Sequence, residues 1–107
     1  MTGIEYKLIT VTAPTAVEGL SLGGRSGNAL RLNWTKNTSA DGYIIEMYKG
    51  GKWTRIARIA GNATTTYRVT GLAAGTAYKF RMKAYKMDGT KAIYSSYTNT
   101  LAARTNP

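Results

Sequence analysis

The chain has no cysteine and no histidine, and only five acidic residues among its 107 positions. Without cysteine there is neither a disulfide framework nor a thiolate metal site. That absence leaves the compartment open, because a two-sheet core of this size stands without a disulfide. Without histidine or cysteine, the commonest general base and the strongest nucleophile are both missing. The carboxylates are Glu5, Glu18, Asp41, Glu46 and Asp88. Asp41 and Asp88 each precede a glycine and read as turn residues. Glu46 reads as half of a surface ion pair, and no acidic cluster exists to hold calcium. No catalytic residue, no metal site and no cofactor are therefore expected. No apolar run is long enough to cross a bilayer, so membrane insertion is not expected. The Met1-Thr2-Gly3 start carries no secretory signal; a secreted parent would contribute this piece from its interior.

Against five acids stand fifteen lysines and arginines, a net charge of +10. Such an excess favours anionic partners, and it equally serves to keep a small domain soluble. The length suits one domain, and the hydrophobic fraction of 43% is enough for one core. Only two prolines occur, Pro14 and Pro107, at the two edges of the patterned region, while twelve glycines supply turns.

The prevailing period is two. Leu30, Leu32 and Trp34 share one face of a segment whose Arg31 and Asn33 face the other way. Tyr43, Ile45 and Met47 alternate with Ile44, Glu46 and Tyr48. Tyr78, Phe80, Met82 and Ala84 alternate with Lys79, Arg81, Lys83 and Tyr85. One buried and one wet face is the mark of antiparallel sheets. Gly50-Gly51 and Asp88-Gly89 read as tight hairpin turns, and residues 23–27, 36–42 and 60–63 as loops. The glycines of 23–27 lack the Gly-Lys-Ser/Thr ending of a phosphate cradle. Seven strands are predicted, over 16–22, 29–35, 42–49, 52–59, 64–70, 76–86 and 94–104, the last an irregular edge strand. That spacing predicts a two-sheet antiparallel sandwich. Its expected core is Leu30, Leu32, Trp34, Tyr43, Ile45, Val69, Leu72, Tyr78, Phe80 and Met82. Truncating Trp34 or Tyr78 to alanine is expected to cost about 3–5 kcal/mol.

Several features taken in order resemble the fibronectin type III family. These are the proline-led opening at Pro14, Trp34 at the end of the second strand, and Gly42-Tyr43 opening the third. The most specific is the Gly71-Leu72…Gly75-Thr76-Ala77-Tyr78 corner. The match runs over about 14–105, and Gly50-Gly51 followed by Trp53 looks more like the bacterial, extracellular members. The resemblance implies an immunoglobulin-like sandwich. In it Trp34 fills the space between the sheets and the Tyr78 hydroxyl bonds to backbone across the corner. The Arg-Gly-Asp triplet of adhesive animal members is absent.

On this reading residues 14–105 form the domain and 106–107 begin a linker. Residues 1–13 are a linker or the tail of a preceding domain, or else an extra strand or frayed terminus of this one. The expected role is a non-catalytic spacer in a larger secreted or cell-surface protein, partnered by neighbouring domains of the same polypeptide and monomeric. The alternative is a binding module for polysaccharide or an anionic cell-wall polymer. Its site would be a basic face interleaved with aromatics: Tyr48, Trp53, Arg55, Lys79, Arg81, Lys83 and Tyr85. Against that stands the plainer reading in which Trp53 packs over a sheet edge and the lysines are merely solvated. Nucleic-acid binding would follow from charge alone and is disfavoured, since no helix suits the major groove and the aromatic-glycine motif of RNA-binding sheets is missing. Three sequons, at Asn33, Asn37 and Asn62, are put down to chance in a chain rich in Asn and Thr.

Overall fold

A computed structural model of the protein describes residues 11–107. The expectations placed on residues 1–10 lie outside the described residues. The remainder is all-β, with eight strands in two antiparallel sheets: β1 (Ser21–Arg25), β2 (Leu30–Asn33), β3 (Gly42–Lys49), β4 (Lys52–Ala60), β5 (Thr66–Val69), β6 (Ala77–Asp88), β7 (Lys91–Tyr94) and β8 (Leu101–Arg104). The smaller sheet runs β1-β2-β5. The larger runs β4-β3-β6-β7, with β8 also pairing β6. No helix among the described residues is long and apolar enough to cross a membrane.

The core forms where the alternating residues of both sheets meet. Leu30, Leu32 and Val69 come from the small sheet, and Tyr43, Ile45, Phe80 and Met82 from the large one. Trp34 lies between the layers, its ring edge-on to Tyr43 with centroids 5.3 Å apart. Leu72 and Tyr78 are half-buried and pack against this cluster from one end. The Tyr78 hydroxyl accepts a hydrogen bond of 2.8 Å from the Ala73 amide, across the chain reversal. At the Gly50-Gly51 hairpin both glycines have positive φ, 60° and 83°, as a turn matching the right-handed strand twist requires.

Three boundaries differ from the sequence reading, each for a local reason. The first strand is Ser21–Arg25 rather than 16–22. Gly19, at φ 73°, breaks the extended chain, although Val17 before it plugs the core. Gly23 and Gly24, read as loop, therefore lie inside β1, at a bulge between Leu22 and Gly24. The last strand, read as one piece over 94–104, is two. Between β7 and β8 the hydroxyls of Ser95 and Thr98 accept hydrogen bonds from the amides of Ala84 and Met82, at 2.8 and 3.1 Å. Side chains thus replace backbone carbonyls in the ladder there, and the strand lapses. β6 also runs to Asp88 and turns through Gly89-Thr90 into β7.

Candidate binding face

The candidate site is the outer face of the large sheet, and pairing decides who stands there. Glu46 of β3 lies opposite Arg81 of β6 and Arg55 of β4, and Tyr48 lies opposite Trp53. Along β6 the outward residues are Lys79, Arg81, Lys83 and Tyr85. Tyr94 of β7 pairs with Tyr85, so it joins the same face, and Tyr97 reaches it from the irregular segment.

Arg81 is the hub. Its Nε and Nη2 both donate to Glu46 Oε1 at 2.8 Å, and the Tyr97 hydroxyl donates to Glu46 Oε2 at 3.0 Å. Its guanidinium lies between two rings, 4.4 Å from the Trp53 centroid and 3.7 Å from that of Tyr97. Lys83 Nζ sits 3.9 Å over Tyr94 and 4.8 Å over Tyr97, and Lys79 Nζ sits 5.6 Å over Tyr48. Tyr48 and Trp53 meet edge-on at 5.3 Å. Cation–ring contacts of this exposed kind contribute about 0.5–1 kcal/mol each. They also tie the rings to neighbouring cations. Arg55 is exposed and joins none of these contacts among the described residues.

Tyr85 does not belong to an open binding face. Only 3% of it is exposed, because its register partner Gly42 has no side chain and the ring folds over the vacancy. A Cβ at Gly42 would collide with the Tyr85 ring and with the Ile59 carbonyl. Arg58 then covers the ring at 4.4 Å. Alternation alone put Tyr85 in water; the glycine opposite pulled it down. Tyr94, Tyr97 and Arg58, which the sequence reading did not single out, complete the face. The hairpin at Gly89 offers a signal for Tyr94, since an even register sets it beside Tyr85. No periodic signal marks Tyr97.

Tyr48, Tyr94 and Tyr97 are exposed by 41%, 39% and 36%, and they are the large exposed apolar side chains of the described residues. The chemistry available is stacking, hydrogen bonding and charge. No group of three or more His, Asp or Glu gathers among the described residues. Two sequon asparagines are held by the fold: Asn37 Nδ2 donates to the Thr15 carbonyl at 2.7 Å, and Asn62 Nδ2 to that of Ala40 at 3.0 Å.

Comparison with known proteins agrees with this architecture. Exoglucanase A of Cellulomonas fimi is 35% identical over 99 residues, 92% of this chain but 11% of the enzyme. Chitinase A1 of Niallia circulans is 33% identical over 98 residues, 89% of this chain and 13% of the enzyme. The chain thus spans about a tenth of the length of these curated relatives. Among solved structures, an FN3tt mutant superposes with a TM-score of 0.75 at 22% identity, covering 90% of this chain and all of that one. The FN1–FN3 domains of chicken CNTN1 give a TM-score of 0.72 at 21% identity over 89% of this chain and 32% of theirs. The family model for the fibronectin type III domain matches residues 13–100, and the chain belongs to that family.

Proposed function

We propose that this domain is a non-catalytic spacer of a larger secreted or cell-surface polypeptide, holding its neighbours in line and at a set distance. The observation that carries the reading is where the chain comes in and goes out. Near the start, the Thr15 amide donates to Ser39 Oγ at 3.0 Å and its carbonyl accepts from Asn37, so the chain is clamped to the loop after β2. Near the finish, the Asn106 amide donates to the Ser26 carbonyl, and the Asn106 carbonyl accepts from Gly75, each at 2.9 Å. Ser26 precedes β2, so the two clamps sit at opposite ends of the sandwich. A pulling or orienting force then runs along the domain. The relatives are an exoglucanase and a chitinase of which this chain matches only 11% and 13% of the length, which supports a role beside catalytic units rather than in place of them.

Two copies joined head to tail test this. Small-angle scattering should show a rod about twice as long as one domain. A compact side-by-side particle would refute the in-line reading.

A second reading is favoured by the concentration of Tyr48, Tyr94 and Tyr97 on one face. Exposed aromatic rings stack on sugar planes, and Lys79 and Lys83 beside them suit carboxylate-bearing chains. In this reading Arg81 positions Trp53 and Tyr97 rather than touching the ligand. Retention on an acidic polysaccharide column should fall for Tyr94→Ala and Tyr97→Ala. Retention unchanged by either variant would leave only the spacer.

A further inference from the structure

The small sheet carries a feature that neither the spacer role nor the aromatic face uses. Pairing of β2 with β5 sets Arg31 directly opposite Arg68, and pairing with β1 sets Gly24 on the other side of Arg31. Both arginines are exposed. Like charges directly opposite one another destabilise a ladder, so folding gains nothing from this pair. Among the described residues the ion pairs join Glu46 to Arg81 and Asp41 to Lys86, all on or beside the other sheet, and neither Arg31 nor Arg68 takes part.

A concavity of about 240 Å³ opens over these residues, lined by Gly23, Gly24, Arg25, Arg31 and Arg68 with their neighbours. A single water needs only about 10–15 Å³ measured in this way, so a bound group with its hydration has room. Arg25 also lines the hollow, but it pairs with core-facing Leu30 and its Nη1 donates to the Arg104 carbonyl of the other sheet at 3.1 Å, so its guanidinium is already engaged. The two glycines differ instructively. A side chain at Gly23 would collide with the Asn33 amide, so packing explains that glycine. A Cβ at Gly24 would meet nothing closer than the Arg31 Cβ at 4.0 Å, and its φ is not positive. Neither packing nor backbone conformation demands a glycine at 24. What its missing side chain does is keep the hollow open beside Arg31.

We propose that Arg31 and Arg68 form a binding site for an oxyanion group, a phosphate or a carboxylate, seated over Gly24. Planar guanidinium forks match such oxygens two at a time. The anion would also neutralise the Arg31–Arg68 repulsion, which explains why the pair stands unrelieved. This site lies on the sheet opposite the aromatic face, and it stands or falls independently of both readings above.

The test is titration of the protein with inorganic phosphate, and separately with acetate, against sodium chloride at matched ionic strength, following backbone amide shifts. Saturable shifts are expected at Gly23, Gly24, Arg31 and Arg68. Preference for phosphate over acetate would identify phosphate-bearing ligands, and the reverse carboxylate-bearing ones. Arg31→Gln and Arg68→Gln should each weaken apparent affinity about tenfold, the scale of one charge-assisted hydrogen bond. Gly24→Val should fill the hollow and weaken binding while leaving the strand folded. Lys91→Gln removes one positive charge from the other sheet, outside both candidate sites, and should change affinity by less than about twofold, since well-separated surface charges are screened. Absence of saturable shifts at these amides with either anion would overturn the proposal. So would an equal loss in Lys91→Gln, which would mean diffuse attraction to the net charge.

Discussion

The two ends of the sandwich are each closed by a tyrosine hydroxyl beside a buried polar side chain, but they are closed differently. At the end where Thr15 docks, Tyr43 is fully buried and its hydroxyl is used twice. It accepts from the Asn37 amide at 2.8 Å and donates to the Asn62 carbonyl at 2.9 Å. Asn37, 7% exposed, in turn gathers Thr15 and Ser39. At the end where Asn106 docks, Tyr78 is half-buried and its hydroxyl is used once. The work there passes to Thr105, 1% exposed, whose Oγ1 accepts from the Thr76 amide at 3.0 Å and donates to the Ala73 carbonyl at 2.6 Å. One end spends its phenol in the core, the other at the surface. The same residue type therefore carries different weight, and burial with the number of bonds sets how much.

Truncation gives the largest contrast. Tyr43→Ala removes a fully buried ring that packs on Trp34, and should cost about 3–5 kcal/mol. Tyr78→Ala removes a ring that already touches water, and about 2–3 kcal/mol is expected, toward or below the lower edge of the range anticipated from sequence. Chemical denaturation of both variants checks the order; equal losses would break the comparison. Next comes Asn37→Ala. It leaves the Thr15 carbonyl and the Ser39 amide without their partner, for about 2–3 kcal/mol. Because this side chain clamps the incoming chain, a head-to-tail pair carrying Asn37→Ala should also scatter as a more bent or more variable rod. Thr105→Val keeps shape but strands the Thr76 amide and the Ala73 carbonyl, and should cost about 1–2 kcal/mol.

The contrast between the ends also shows what the sequence could disclose. The Tyr78 corner is local: Leu72, Ala73 and Tyr78 fall within a single chain reversal, so their spacing carries the geometry. The other end is assembled from Thr15, Asn37, Ser39, Tyr43 and Asn62, which sit in separate segments. Tyr43 was legible as a core residue by alternation, but the partners of its hydroxyl were not. Asn37 read only as a loop residue inside a sequon. The aromatic face divides in the same way. Lys79, Arg81 and Lys83 alternate along one strand and were legible. The burial of Tyr85 depends on which residue stands opposite it across β3, and that register is a tertiary fact. Tyr97 belongs to a stretch where Ser95 and Thr98 hydroxyls stand in for backbone, so no periodicity points to it.

The smallest change in structure, loss of one oxygen, isolates the two hydroxyls. Tyr78→Phe leaves the Ala73 amide without its acceptor, but Ala73 is exposed and water takes the place of the phenol, so a loss of about 0.5–1 kcal/mol is expected. Tyr43→Phe strands the Asn37 amide, which is buried, together with the Asn62 carbonyl, and water has poor access to replace the phenol. About 2–3 kcal/mol is expected there. In a domain of this size each kcal/mol moves Tm by about 4–8 °C, so the two variants separate clearly in a thermal scan. A Tyr78→Phe loss as large as that of Tyr43→Phe would mean that the surface hydroxyl is not replaceable by solvent. The corner would then be a rigid closure in its own right, and the domain would be locked equally hard at both ends.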